Sequence, residues 1–172
     1  LCHFSGIPTV SMHVLRHQFA TMLLEEGTLS LEYIAKLMGH KSPMTTYSIY
    51  CDVMEAREQA KEALRIAGTI AKELEHPYVG TEHLLLGLRK VYSGVAGQVL
   101  ANNGVQEENI EKVIEELISP TSMLRVESRP EYSPRLEYIL EEGKTEALRF
   151  REAEIGTEHL LLALLGDVDC VA

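Results

Sequence analysis

Apolar residues recur at three- and four-residue spacings along almost the whole chain, which predicts an all-α protein. Leu15, Phe19, Met22 and Leu23 make one apolar face, and Gly27 ends that helix. Ser30 is placed to cap a second helix carrying Leu31, Ile34, Ala35 and Met38, closed by Gly39. Pro43 suits the first position of a short helix running towards Tyr50. A long amphipathic stretch follows, with Ala60, Ala63, Leu64, Ala67, Ile70, Ala71 and Leu74 on one face, and His76-Pro77 ends it. Thr81 is placed to cap the next helix. Val95, Val99 and Leu100 mark another, ending at Asn102-Asn103-Gly104, and Ile110, Val113, Ile114 and Leu117 mark one more, stopped by Pro120. Pro120, Pro130 and Pro134 among serines and charges mark a linker, after which Leu136, Ile139, Leu140, Gly143, Ala147 and Phe150 restart the helical pattern.

The restart is a repetition. Gly-Thr-Glu-His-Leu-Leu-Leu occurs at Gly80–Leu86 and again at Gly156–Leu162, an identity that implies a duplicated unit. A shift of 76 residues places Leu64 on Leu140, Ala71 on Ala147 and Val79 on Ile155. The first fifty-odd residues share nothing with this repeat. Two modules are therefore expected. Residues 1–53 form the first and 54–172 the second, with repeat one at 54–119, the linker at 120–132 and a shortened repeat two at 133–172. Repeat two stops where its next helix should begin. The apolar surface that two further helices would cover is expected to be exposed or to be buried in another chain, so self-association through it or marginal stability is predicted.

Tyr78-Val79-Gly80-Thr81-Glu82-His83-Leu84-Leu85-Leu86-Gly87-Leu88, Gly94-Val95-Ala96, Tyr132-Ser133-Pro134-Arg135 and Ile155–Leu162 together resemble the N-terminal double-repeat domain of the Clp ATPases, the AAA+ unfoldases that feed a protease. The resemblance covers about residues 54 to 172. It implies an all-helical domain, truncated here, that docks adaptor proteins and substrates. In the branch with this heptapeptide it implies recognition of arginine-phosphorylated proteins, a role that would fall on Thr81-Glu82 and Thr157-Glu158. The chemistry suits those residues. A carboxylate accepts two parallel hydrogen bonds from a guanidinium, and free N–H groups at a helix start take a phosphate. Thr followed by an acid ahead of Leu-Leu-Leu is also an ordinary helix N-terminus, with the acid complementing the dipole. His83 and His159 are expected to pack or hydrogen-bond within the helix turn.

His13-Val14-Leu15-Arg16-His17-Gln18-Phe19-Ala20-Thr21, Leu37-Met38-Gly39-His40-Lys41-Ser42, Thr45-Thr46 and Ile49-Tyr50 resemble the tyrosine recombinases of the phage-integrase family. His13 and Arg16, three apart, share a helix face, which the pattern sets opposite Leu15, Phe19 and Met22. The family cleaves DNA through a phosphotyrosine link without metal. The resemblance implies Tyr50 as nucleophile, with Tyr47 its rival, Arg16 on the non-bridging phosphate oxygens, His13 in proton transfer and His40 hydrogen-bonded to the same phosphate. It also implies an arginine and a lysine from an earlier half of the catalytic domain. Those are not among the 172 residues. DNA is thus expected as a partner only where that half is supplied, and the chain by itself is not expected to be an enzyme.

Composition narrows the partners. The net charge is −10, against a general nucleic-acid-coating protein. Residues 1–64 hold five Lys/Arg and seven Asp/Glu, while residues 65–172 hold eleven and nineteen, so the repeats favour cationic or protein partners. Cys2, Cys51 and Cys170 fit no zinc spacing and read as reduced thiols of a cytoplasmic protein. Neither a metal nor a cofactor is expected, and no Gly-x-x-x-x-Gly-Lys-Ser/Thr stretch offers a nucleotide site. The apolar runs are too short to span a bilayer. The opening Leu-Cys-His-Phe has neither a basic start nor an apolar core, so no signal peptide is expected, and the absence of an initiator methionine suggests a fragment.

Overall fold

The computed structural model describes residues 12–117, 131–152 and 154–167, without the side chains at 13, 14 and 117. Among the described residues, eight helices and two very short strands follow in order. They are α1 (Met12–Glu26), α2 (Leu31–Leu37), α3 (Pro43–Glu73), β1 (Tyr78–Val79), α4 (Thr81–Lys90), α5 (Val95–Asn102), α6 (Glu107–Leu117), β2 (Glu131–Tyr132), α7 (Pro134–Phe150) and α8 (Thr157–Gly166). No helix among the described residues is long and apolar enough to cross a membrane. The chain divides into two compact units, 1–55 with 147–154, and 56–146 with 155–172.

In the first unit, Ser30 caps α2 by accepting a hydrogen bond from the Tyr33 N–H at 3.3 Å. Gly27 and Gly39 follow α1 and α2 with φ of +64° and +65°, the left-handed turn that glycine adopts without a Cβ penalty. The core is small. Ala20 and Leu23 of α1 pack on Ile34 of α2 and on Met38 at its C-cap, with Leu24 beside them. The apolar face expected of α1 is therefore displaced. Leu15, Phe19 and Met22 are 48%, 48% and 46% exposed, and only Leu23 of that set is buried. One short partner helix covers a single narrow stripe of α1, and the stripe through Ala20, Thr21 and Leu23 takes it.

A second difference concerns α3. The short helix towards Tyr50 and the amphipathic stretch after it are one helix of 31 residues. No glycine or proline stands between Tyr50 and Ala67 to interrupt it.

The second unit is built on the alanine stripe of α3. Ala60, Ala63, Ala67 and Ala71 pack with Val79, Leu84 and Leu88 of repeat one, Ala96 and Leu100 of α5, and Leu136, Ile139, Leu160 and Leu164 of repeat two. A satellite core joins Ile70 and Leu86 to Ile110 and Ile114 of α6. Small side chains let backbones approach. A Cβ added at Gly87 of α4 would overlap the carbonyl oxygen of Ala63 on α3. In repeat two the small residue sits on the other helix, where a Cβ at Gly143 of α7 would lie 3.0 Å from Cδ2 of Leu160.

The end of the expected linker is ordered. Glu131-Tyr132 pairs in parallel with Tyr78-Val79, and the Ser133 N–H donates to the Val79 carbonyl at 2.9 Å. Leu162 and Leu165 of α8 are 39% and 73% exposed, on the face where repeat one carries the well-buried Leu86.

Two substitutions separate backbone approach from helix propensity. Gly87→Ala should lower unfolding stability by roughly 1–3 kcal/mol through overpacking, despite the gain in propensity. Gly68→Ala, in the interior of α3 with nothing within 4 Å of the added Cβ, should raise it by about 0.5–1 kcal/mol. Denaturant unfolding of both variants checks the pair.

Candidate functional site

The residue at the N-cap of α4 is Gly80, with φ −102° and ψ 179°, and Thr81 is the first helical residue. The expected Thr81 cap is thus replaced by another device, using the third helical residue. His83 is fully buried, and its Nδ1 accepts the Gly80 N–H at 2.9 Å. This is the backward half of a capping box, with imidazole in the place usually held by Glu or Gln. An amide N–H only donates, so Nδ1 carries the lone pair and Nε2 carries the proton. Nε2 lies 2.7 Å from Nδ1 of His76, which must accept. The two rings meet edge to face, with centroids 5.0 Å apart.

Glu82 folds back over the N-cap. A Cβ at Gly80 would overlap its carboxylate, so the glycine is needed for space and not for an unusual φ. The Glu82 side chain is 12% exposed, and its Oε1 is buried without a hydrogen-bond donor, 3.0 Å from His83 Nδ1. Burial pushes the Glu82 carboxyl up, but hydrogen bonding to His83, to its own backbone N–H and to Thr81, with the charge on His83, holds it below the ordinary carboxylate range overall. The His83 contribution requires a proton on Nδ1, which the tautomer that caps Gly80 does not carry. Burial, then the charge of His83, lowers the His76 imidazole from 6.5, with Glu82 opposing.

The second motif repeats the frame with differences. Gly156 caps α8, and its N–H donates to Nδ1 of His159 at 2.9 Å. Glu158 folds over Gly156 in the same way but is 33% exposed and stands 3.7 Å from His159 Nδ1. Thr157 is fully buried, and its Oγ1 accepts the Ala96 N–H at the start of α5, at 3.3 Å. At the position 76 residues beyond His76 the sequence carries Glu152.

Thr81 and Glu82 line a cavity of about 470 Å³ together with Tyr78, Tyr132, Ser133 and Arg135. Tyr132–Arg135 is part of the Clp resemblance but has no sequence signal that assigns it to the site. The pairing of β1 with β2 brings it there. Arg135 forms an ion pair with Asp167 and stacks over Tyr138 at 5.8 Å. Glu82 and Arg135, the latter paired with Asp167, thus line the same pocket.

In the first unit, His40 and Tyr50 line one small cavity with His17, Thr21 and Thr46. His40 Nδ1 lies 2.7 Å from the buried Thr46 Oγ1. Arg16 is exposed on α1, and its Nη2 would lie 3.7 Å from a Cβ at Gly39. Tyr47 is 51% exposed and bonds to Cys51, which raises its hydroxyl pKa above the ordinary value. His13 belongs to α1, and its side chain lies outside the described residues. Among the described residues, no group of three or more His, Cys, Asp or Glu is arranged to hold a metal.

The imidazole caps predict a graded response. His159→Ala strands the buried Gly156 N–H and should cost about 1–3 kcal/mol of unfolding stability. His159→Gln, which keeps an acceptor at the same helical position, should recover a large part of that loss. Equilibrium unfolding in denaturant checks both.

Residues 56–172 match the model of the Clp repeat (R) N-terminal domain, and residues 2–57 match that of the phage integrase family. The chain is 38% identical over 114 residues to a probable ATP-dependent Clp protease ATP-binding subunit of Chlamydia pneumoniae, covering 66% of this chain and 14% of that protein. It is 35% identical over 115 residues to the negative regulator of genetic competence ClpC/MecB of Bacillus subtilis, covering 67% and 14%. Among solved structures, the N-domain of ClpV from Vibrio cholerae matches with a TM-score of 0.55 at 26% identity, covering 66% of this chain and 68% of that one. The chain thus spans about one seventh of the length of these Clp relatives. With two-thirds of its length in that match and both heptapeptides in equivalent caps, the chain belongs to the Clp repeat (R) N-terminal domain family.

Proposed function

We propose that the repeat domain is the docking module of a Clp-type protein-degradation unfoldase and that it reads phosphorylated arginine on its targets, directly or through adaptor proteins. The observation that carries this reading is the pocket at Thr81-Glu82. Phosphoarginine places a cationic guanidinium beside an anionic phosphate. Glu82 offers a carboxylate whose Oε1 has no donor, matched to the guanidinium. The start of α4 and Arg135 offer positive potential for the phosphate. Thr157-Glu158 is the second copy of the same determinant, with its carboxylate more exposed.

Calorimetric titration with a phosphoarginine peptide tests the reading. Saturable binding is expected, with the unphosphorylated peptide at least about tenfold weaker because it lacks the charge-assisted bonds to phosphate. The Glu82→Ala plus Glu158→Ala variant should lose binding. Equal affinity in that variant would remove both motifs from the site.

A second reading, supported by the shared cavity of His40 and Tyr50, is a part in DNA strand cleavage through a phosphotyrosine. Residues 1–53 hold one arginine of the expected pair, and loss of one transition-state charge typically costs about a hundredfold or more. Incubation with nicked DNA should therefore give no covalent adduct. An adduct that vanishes in Tyr50→Phe would make the first module an active enzyme part.

A further inference from the structure

We propose that His76 is a positioning residue for the first heptapeptide. Through the His76–His83 hydrogen bond it governs which nitrogen of His83 carries the proton, and so whether the Glu82 carboxylate is held inward or released to a ligand. The inference deepens the reading of Glu82 as the guanidinium-binding group and rests on it for its binding arm only.

The geometry contains two proton arrangements of one frame. In the neutral arrangement His83 Nδ1 accepts the Gly80 N–H at 2.9 Å, and His83 Nε2–H donates to His76 Nδ1 at 2.7 Å. Glu82 Oε1, at 3.0 Å, then faces a lone pair and has no donor. With no donor on this oxygen, the carboxylate is held only by its own backbone N–H and by the Thr81 hydroxyl, 3.4 Å from Oε2, and can turn to a cation in the pocket. In the acidic arrangement the pair holds one more proton. The proton between the rings passes from His83 Nε2 to His76 Nδ1, and the incoming proton resides on His83 Nδ1. His76 becomes an imidazolium and donates back to Nε2. His83 Nδ1–H now donates to Glu82 Oε1, and the Gly80 N–H loses its acceptor. Glu82 is clamped inward and ligand affinity falls.

Among the described residues, the charged groups that act on His76 are His83 and Glu82, both of α4. Lys72, Glu73 and Glu75 at the end of α3 and Glu131 of β2 are exposed to solvent. Burial of His76 and the neighbouring imidazole both favour the neutral arrangement, so the acidic one fills only below pH 6.5. The unfolded chain binds more protons here than the folded one in that range. Stability from this pair is therefore full above about pH 6.5 and is lost as the pH falls. The second heptapeptide has Glu152 where the first has His76, so the histidine pair is not repeated there.

Imidazole ¹⁵N and backbone amide NMR on the whole chain, from pH 8 to pH 5, reads the switch without any ligand. His83 should show a protonated Nε2 at high pH. As His76 titrates, the His83 proton should move to Nδ1, and the Gly80 amide should shift and lose exchange protection. The Gly156 amide should stay constant across this step. In His76→Gln the Gly80 step should disappear. A Gly80 amide that does not follow His76, or follows the same curve in His76→Gln, would overturn the proposal.

The binding arm uses a phosphoarginine peptide with Glu158→Ala, which leaves the first motif, and with Glu82→Ala, which leaves the second. Protonation of the phosphate affects both alike, so their affinity ratio reports on the protein. That ratio should move about fivefold or more against the first motif between pH 7.5 and pH 5.5, the size typical of coupling between two linked equilibria. A constant ratio with a normal NMR switch would separate His76 from ligand control. Absence of peptide binding with a normal switch would remove the phosphoarginine reading and leave the proton relay standing.

Discussion

A single hydrogen bond organises each repeat: the N–H of an N-cap glycine donates to the imidazole of the third helical residue. The bond fixes three things together. It satisfies a helix-start donor that burial would otherwise strand. It orients the ring, and with it the tautomer. It also leaves the N-cap without a side chain, and the following carboxylate folds over that bare Cα. Gly, Glu and His are thus interlocked. Replacing any one changes the surroundings of the other two, which gives a physical reason for finding the whole string twice.

Around these caps the second unit depends on smallness. The alanines of α3 carry little transfer energy individually, yet they bring α4 close enough for Gly87 to sit against the Ala63 carbonyl. Leucines at 84, 88, 160 and 164 fill the space on either side. The described residues of the first unit show no comparable assembly. Among the described residues, Ala20, Leu23, Ile34 and Met38 make its core cluster, and Met12, Leu15, Phe19 and Met22 of α1 are exposed.

Most helices were legible in the sequence because their punctuation is strong: Ser30 before α2, Gly27 and Gly39 after α1 and α2, Asn103-Gly104 after α5. The repeat was legible as identity. What escaped depended on neighbours distant in the chain. Leu15, Phe19 and Met22 have the spacing of a core face, but only a partner helix decides which stripe is covered, and α2 chose Ala20 and Leu23. Tyr50 looked like a helix end because the landmarks of one module stop there, while nothing chemical breaks the helix before Glu73. Thr81 was the obvious capping side chain. The geometry uses Gly80 with His83, a pairing hard to foresee because the acceptor comes from inside the helix. Tyr132–Arg135 reached the pocket only through the parallel pairing of β1 and β2, which two residues per strand scarcely announce.

The exchange of small residues between the repeats has a consequence for how this duplication has aged. Repeat one keeps Gly87 on its second helix opposite Ala67, while repeat two keeps Ala163 there and Gly143 on the facing helix. Each half has one bare position, on opposite helices of its pair: Gly87 lies against the backbone of Ala63 and Ala67, whereas Gly143 lies against the Leu160 side chain. The copies look interchangeable through seven identical residues, yet a graft of α8 into the place of α4 would set a methyl group into the Ala63 carbonyl. The halves are therefore not interchangeable despite their shared string: an exchange of second helices overpacks the first repeat and leaves the second with a smaller side chain than it has now.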